Sequence, residues 1–265
     1  IDKFACLYMA IILVATLACV TLAHAYLGEG SKGFPGNREE LYLLILMAAA
    51  GGLVLVSAQH LAGLFIGLEL LSVPVYGLVA YAFFNKRSLE AGIKYMVLSA
   101  AGSAFLLFGM ALLYAEAGSL SFSGIGHALA TTNMAAPIAQ LGLAMMLIGL
   151  AFKLSLVPFH LWAPDTYQGA PTNVTLYLST ISKGAAVFAL MTILFKVFPA
   201  LQDVWQNIIW IVILVTITVG NLFALRQKNM KRFLAFSSIS QAGYIMLGVI
   251  GGTAQGMTAL VYYIL

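Results

Sequence analysis

Long apolar runs, separated by short polar turns, extend through the whole sequence. A helix that crosses a lipid bilayer needs about 20 mostly apolar residues, and eight runs reach this length before a ninth begins near residue 253. The predicted spanning helices cover residues 4–27, 41–60, 61–84, 89–116, 137–161, 171–198, 204–225 and 231–250. The pattern therefore predicts an all-α, polytopic transmembrane helix bundle. We expect one integral membrane domain over residues 1–265, with its longer connections at 29–40, 117–136 and 162–170.

The basic residues between these runs fall mostly on one side of the predicted membrane. When successive connections are assigned to alternate sides, one side receives only Lys3 and Lys196. The other side receives Lys32, Arg38, Lys86, Arg87, Arg226, Lys228, Lys231 and Arg232. By the positive-inside rule this second side faces the cytoplasm or the matrix, and it is called the inner side below.

The composition excludes a soluble enzyme and argues against nucleic-acid binding. The chain is 62% hydrophobic and 8% charged, whereas soluble domains carry about 25% charged residues. Its net charge of +4 is explained by basic loops beside the membrane. Cys6 and Cys19 lie in one apolar run without metal-ligand spacing. The sequence thus predicts no metal and no cofactor in this chain.

Three ionisable residues, Glu69, Lys153 and Lys183, lie well inside apolar runs. A charged residue at the centre of a spanning helix costs about 2.5–3.5 kcal/mol, so three of both signs predict a polar interior shared by several helices. They could form a structural Glu–Lys pair that fixes helix packing. The excess of lysine favours proton carriage instead, because a buried lysine without its own counterion holds its proton less firmly.

Pro158 predicts a break in the helix that carries Lys153, between about Leu154 and His160, because proline cannot donate a backbone hydrogen bond. We expect unpaired carbonyls at the break to line a cavity, as in the discontinuous helices of transporters. His160 suits a proton relay but equally suits a core position. Lys94 either extends to the inner surface or joins the polar interior. We predict one continuous polar axis near mid-membrane through Glu69, Lys153, Lys183 and His160.

Two stretches resemble the antiporter-like membrane subunits of respiratory complex I. Residues 152–186 read FKLSLVPFHLWAPDTYQGAPTNVTLYLSTISKGAA, and residues 67–74 read GLELLSVP. The resemblance implies a fold of fourteen helices in two inverted five-helix repeats, each with one broken helix. Residues 41–198 would form the first repeat and residues 204–265 the start of the second. The sequence begins with Ile1 and its ninth run is cut short, so we expect a fragment that lacks the second broken helix.

The resemblance also implies roles for the buried residues. Glu69 matches the glutamate of the family, Lys153 the lysine of the broken helix and Lys183 the central relay lysine. The implied function is proton translocation within NADH–quinone oxidoreductase, without a redox centre in this chain. Flavin, iron–sulfur clusters and quinone would reside in partner subunits.

The implied partners are other membrane subunits of the complex, including neighbouring antiporter-like subunits, in a bacterial inner membrane rather than a mitochondrial one. Two alternatives stay open. A cation/proton antiporter subunit of the related multisubunit family would need further carboxylates or carbonyls at depth, and Glu69 is the one carboxylate there. In a purely structural scaffold, apolar residues could replace the buried charges with little functional loss.

Overall fold

The computed structural model describes residues 3–27, 38–131, 137–252 and 254–264. In these ranges the chain forms α-helices joined by short turns, and a single isolated β-bridge joins His60 and Ser121. The first six helices are α1 Lys3–Leu27, α2 Arg38–Ser57, α3 Leu61–Val79, α4 Lys86–Ala117, α5 Phe122–Thr131 and α6 Pro137–Leu154. The others are α7 Trp162–Gly169, α8 Thr172–Tyr177, α9 Lys183–Thr192, α10 Gln202–Leu225, α11 Met230–Ile250 and α12 Ala254–Ile264. Two π-helical turns, Leu178–Ser182 and Ile193–Val197, flank α9, and a 3₁₀ turn covers Pro199–Leu201.

The predicted all-α transmembrane bundle is confirmed. Eight helical stretches of the described chain are long and apolar enough to cross a membrane, and they coincide with the eight predicted runs. One of them, Thr172–Val197, is continuous through α8, both π turns and α9. The ninth run begins as α12. Lys32 and most of the predicted connection at 29–40 lie outside the described residues.

Three details differ from the sequence pattern. The fifth run, predicted to extend to residue 161, ends as a helix at Leu154. The connections at 117–136 and 162–170 contain the short helices α5 and α7, with 10 and 8 residues. Neither is long enough to cross a membrane, so a search for spanning runs passes over them.

Antiparallel neighbours pack as pairs: α2 with α3, α4 with α6, and α10 with α11. The α4–α6 pair comes together at glycines. A Cβ added to Gly149 would lie 2.7 Å from the Cβ of Leu106 and 2.8 Å from the carbonyl oxygen of Gly102. Small residues permit this close approach of backbones in membrane helices. The pairing brings the end of α6, with Lys153, against the middle of α4.

The short helix α7 packs against both α4 and α11. It follows the interruption after α6 and leads into the span that carries Lys183. Its position therefore connects the helix pair α4–α6 with the helix pair α10–α11.

Candidate functional site

Lys153 lies in the last turn of α6 and is only 5% exposed. Its Nζ donates a hydrogen bond to Ser72 Oγ at 2.6 Å and to the hydroxyl of Tyr95 at 3.4 Å. The Tyr95 ring lies beneath the ammonium, with its centroid 6.0 Å away. These partners are neutral, so Lys153 is solvated by hydroxyl and ring dipoles in place of water.

Glu69 lies on α3, one helical turn before Ser72. Its Oε1 accepts a hydrogen bond from Ser103 Oγ of α4 at 2.5 Å. Within the described chain, Glu69 and Lys153 form no ion pair within 4 Å. Glu69 on α3 and Lys153 on α6 thus face the same part of the interior, but their charges are not paired.

A small cavity lies beside Lys153 and Ser103, the serine that binds Glu69. Its volume is about 20 Å³, and its polar lining consists of Ser72, Ser99, Ser103 and Lys153. A site of about 10–15 Å³ with several polar partners can hold one water. A single water there would connect the hydroxyl that binds Glu69 with the ammonium of Lys153.

Lys183 opens α9 directly after a π-helical turn and is also 5% exposed. Its Nζ donates to the backbone oxygen of Ser238 at 2.9 Å and to Ser238 Oγ at 2.7 Å. No carboxylate of the described chain lies within ion-pair distance of Lys183. Lys183 is thus a buried lysine whose hydrogen-bond partners in the described chain are neutral oxygens.

The predicted interruption after Lys153 is confirmed, but its cause differs. Ser155 has a left-handed backbone with φ 60°. The N–H of Ser155 bonds to the carbonyl of Phe152 at 3.0 Å, and the N–H of Leu156 bonds to that of Ala151 at 2.9 Å. This pair of bonds is the Schellman motif that ends many helices. The helix therefore ends before it reaches Pro158, which follows in a cis peptide bond with Val157.

The prediction that the carbonyls at this break are unpaired is wrong for three of them. Those of Ala151 and Phe152 accept the Schellman bonds, and that of His160 accepts from the N–H of Ala163 at 3.0 Å. Besides the Schellman bonds, the carbonyl of Phe152 accepts from Trp162 Nε1 at 2.8 Å. Within the interruption, the N–H of Val157 donates to Thr216 Oγ1 of α10 at 3.0 Å. The irregular backbone is thus held by side chains from neighbouring helices.

His160 is buried, at 9% exposed, and its Nδ1 has no hydrogen-bond partner within the described chain. The segment around it contains unusually many unsatisfied polar atoms. Buried side-chain oxygens or nitrogens without a hydrogen-bond partner occur at Ser155, Thr166, Asn173 and Tyr177. Such atoms are rare in folded proteins unless water binds them. They lie on the stretch of chain between Lys153 and Lys183, which supports a hydrated polar interior there.

Lys94 lies at the inner side, where its Nζ pairs with Glu90 at 2.6 Å and with Asp165 at 3.0 Å. Asp165 also pairs with Arg232 at 2.6 Å. Burial alone would raise the pKa of the Asp165 carboxyl, but the hydrogen bonds from Lys94 and Arg232 outweigh it and hold that pKa below its usual value. Of the two interpretations of Lys94, the structure favours the one at the inner surface.

Several hydroxyl groups at this site were not predicted from the sequence, because only ionisable residues were considered as candidates. They are Ser72, Tyr95, Ser103, Thr216 and Ser238. A weak signal was present, because Ser99 and Ser103 stand four residues apart in an apolar run and so share one helix face. Serine is too common in membrane helices for this spacing to decide anything alone.

Comparison with known proteins identifies the family. Residues 58–265 match the family described as NADH:quinone oxidoreductase/Mrp antiporter, TM. The chain belongs to this family. Its fold is shared by several solved structures. Respiratory complex I from Thermus thermophilus with bound aureothin superposes with a TM-score of 0.81 at 36% identity, covering 100% of this chain and 55% of that chain. The Mrp complex from Dietzia sp. DQ12-45-1b gives 0.86 at 26% identity, covering 100% of this chain and 48% of that one.

Among named relatives of the family, NADH-quinone oxidoreductase subunit N of Ectopseudomonas mendocina is 61% identical over 266 residues. The match covers 100% of this chain and 53% of that protein. The chain thus spans about half the length of the relatives it matches. The membrane-bound sulfane sulfur reductase, an archaeal respiratory membrane complex, is also similar, at 30% identity and a TM-score of 0.83, covering 97% of this chain and 52% of that one.

Proposed function

We propose that this chain is part of subunit N of a proton-translocating NADH–quinone oxidoreductase and that it carries one set of proton-transfer residues. The observation that carries the proposal is Lys183, buried in the bilayer region with only neutral oxygen partners. The identity of 61% to a subunit N supports the assignment. A buried, unpaired ammonium is costly. A lysine in this position is therefore expected to serve proton transfer.

In the proposed mechanism, Lys183 takes a proton from the inner side and passes it toward Lys153 through the polar segment between them. Glu69 and Lys153 act as an adjustable pair. In the structure they are held apart, Glu69 by Ser103 and Lys153 by Ser72. Closure of the pair would favour the protonated form of Lys153, and opening would favour release. A conformational or electrostatic bias on this pair is then sufficient for coupling.

The redox chemistry would belong to other subunits. The described residues contain no cluster of potential metal ligands, and the proposal assigns flavin, iron–sulfur clusters and quinone to partner subunits. Neighbouring antiporter-like subunits and the bilayer would surround this chain. The bacterial source of the similar subunit N supports a bacterial plasma membrane.

A second function has a specific observation in its favour: the TM-score of 0.86 to an Mrp complex. The chain would then belong to a cation/proton antiporter. Purification distinguishes the two, since flavin and iron–sulfur subunits copurify with the chain only under the first proposal. Pumping that requires Na⁺ or K⁺, in a complex without those subunits, would favour the antiporter.

The central test is the substitution Lys183→Ala in the assembled complex. We expect proton transfer through this chain to fall about 10²-fold or more, the scale of a lost proton-transfer group. Assembly should persist, because removal of an unpaired buried charge relieves its desolvation cost. Lys183→Arg should also impair pumping, since a guanidinium stays protonated. Pumping is measured in membrane vesicles, alongside a blot for the complex.

Lys228→Ala serves as the matched control, because it removes a lysine that is exposed at the inner side. It should leave both pumping and assembly unchanged. Normal pumping in both Lys183 variants would refute the relay role. Loss of assembly in Lys183→Ala would instead favour the structural scaffold.

A further inference from the structure

One face of α11 carries a polar stripe that begins at the inner side. Lys231 lies in its first turn, among the basic residues of that side, and its Nζ donates to the carbonyl of Ala170 at 2.8 Å. Ser237, Ser238 and Gln241 follow on the same face. Ser238 is about 10 Å further along the helix axis, at 1.5 Å per residue. The stripe therefore leads from the inner surface toward the depth of Lys183.

A cavity of about 420 Å³ accompanies this stripe. Its lining comprises Tyr167, Thr172, Thr175, Leu176, Ser179, Lys231, Leu234, Ser237, Ser238 and Gln241. Eight of these ten residues carry a hydroxyl, amide or ammonium group, although most of the lining surface is apolar. Waters can bind along those polar groups. It is called the inner cavity here. Lys183 does not line it.

A second cavity, of about 700 Å³, lies next to the inner cavity and is lined by Lys183. Three residues border both cavities: Ser179, Ser238 and Gln241. They form the partition between the inner cavity and the lysine. Of the three, Ser238 is the one whose side chain lies within hydrogen-bond distance of Lys183 Nζ.

Given the proposed function, on which this inference rests, we infer that Ser238 is the relay hydroxyl that passes protons from the inner cavity to Lys183. A serine hydroxyl both donates and accepts hydrogen bonds. When Lys183 is a neutral amine, the Ser238 hydroxyl gives its proton to Nζ. As that O–H bond breaks and the N–H bond forms, Oγ takes a proton from a protonated water chain in the inner cavity. Ser238 ends unchanged, and Lys183 is an ammonium that donates to Oγ, which is the arrangement observed.

The other two residues of the partition are engaged differently. Ser179 Oγ donates to the carbonyl of Leu176 at 2.9 Å, within its own helix. The Gln241 side chain accepts a hydrogen bond from the hydroxyl of Tyr263, and a neutral amide does not take up and release protons as a hydroxyl does. The geometry thus singles out Ser238.

The test compares three substitutions in the assembled complex: Ser238→Ala, Ser238→Thr and Ser240→Ala. Ser238→Ala should lower proton transfer through this chain about 10²-fold, to the level of Lys183→Ala. Ser238→Thr keeps a hydroxyl and should restore most of the pumping, which a purely steric role would not predict. Ser240→Ala is the matched control, since Ser240 lies on the same helix, borders neither cavity and donates through its Oγ to the carbonyl of Ser237; it should pump normally.

A labelling experiment reports on the cavity independently of activity. Ser238→Cys, with Cys6 and Cys19 replaced by serine, should react with a small membrane-impermeant thiosulfonate added from the inner side. Labelling only from the outer side, or none, would overturn the proposed route. The same holds for normal pumping in Ser238→Ala while Lys183→Ala is defective. If Lys183→Ala itself pumps normally, the proposed function fails first.

Discussion

Ser155 is the residue at which the helix of Lys153 ends, and its conformation is unfavourable for a serine. Its φ of 60° is in the left-handed region, which costs a residue with a Cβ about 1–2 kcal/mol. Its side chain is fully buried and its Oγ lacks a hydrogen-bond partner. The Ser155 side chain gains neither a hydrogen bond nor solvent exposure that would offset this strain. Packing around the break must therefore hold the residue in its left-handed conformation.

A direct test at this scale replaces Ser155. Ser155→Gly removes the clash and should leave the thermal stability of the purified complex unchanged or raise it by up to about 1 kcal/mol. Ser155→Val, with a branched Cβ in the same conformation, should lower it by about 1–3 kcal/mol. The measurement is the fraction of complex that survives heating in detergent. Equal stability of the two variants would contradict the left-handed assignment.

At the scale of helices, the α4–α6 contact depends on glycine. The carbonyl oxygen of Gly102 and the Cβ of Leu106 leave no room for a methyl group on Gly149. Gly149→Ala should therefore push the helices apart and destabilise the subunit by about 1–3 kcal/mol, with less assembled complex on a blot.

Gly77→Ala in α3 is the control for that substitution. A Cβ at Gly77 would lie 3.5 Å from a Leu44 side-chain carbon, an ordinary contact. Alanine also favours helix over glycine by about 0.8–1.0 kcal/mol, so this variant should be as stable as the native chain or more so. Equal losses in the two variants would show that helix contacts at glycine do not decide stability here.

The comparison of sequence and structure is clearest at this scale. Apolar length predicted all eight spans, because the bilayer imposes that length on every spanning helix. The charges at Glu69, Lys153 and Lys183 indicated a polar interior, because a charged side chain in contact with lipid is costly. Pro158 located the break only approximately, since the Schellman bonds around Ser155 end α6 first. The partners of Lys183 and Val157, Ser238 and Thr216, come from α11 and α10, and no local pattern predicts such distant pairings.

At the scale of the whole molecule, Asp165 connects three helices on the inner side. It pairs with Lys94 of α4 and Arg232 of α11 from its own position on α7. Asp165→Asn should lower stability by about 0.2–1 kcal/mol, because these side chains are partly exposed and screened. The same substitution combined with Arg232→Gln should cost less than the sum of the two single changes.

The pH dependence of this effect has a definite sign. The pKa of Asp165 in the folded chain lies below its ordinary value, so the carboxylate stabilises the fold at neutral pH. That contribution is lost as the pH falls through the lowered pKa. Heat stability of the native and Asp165→Asn complexes should therefore differ at pH 7 and converge under strong acid. A difference that persists in acid would contradict the ion-pair assignment.

The π-helical turn before Lys183 has a consequence for insertions and deletions. A π turn contains one residue more than the α-helical turn it replaces. If the chain lost one residue between Leu178 and Ser182, the span could continue as a regular α-helix of sufficient length. Side chains after that point would keep nearly the same direction relative to those before it, because the π turn absorbs the additional residue. Lys183 would then still face Ser238, whereas loss of one residue from the regular turns of α9 would rotate the side chains on either side of the deletion by about 100° relative to each other.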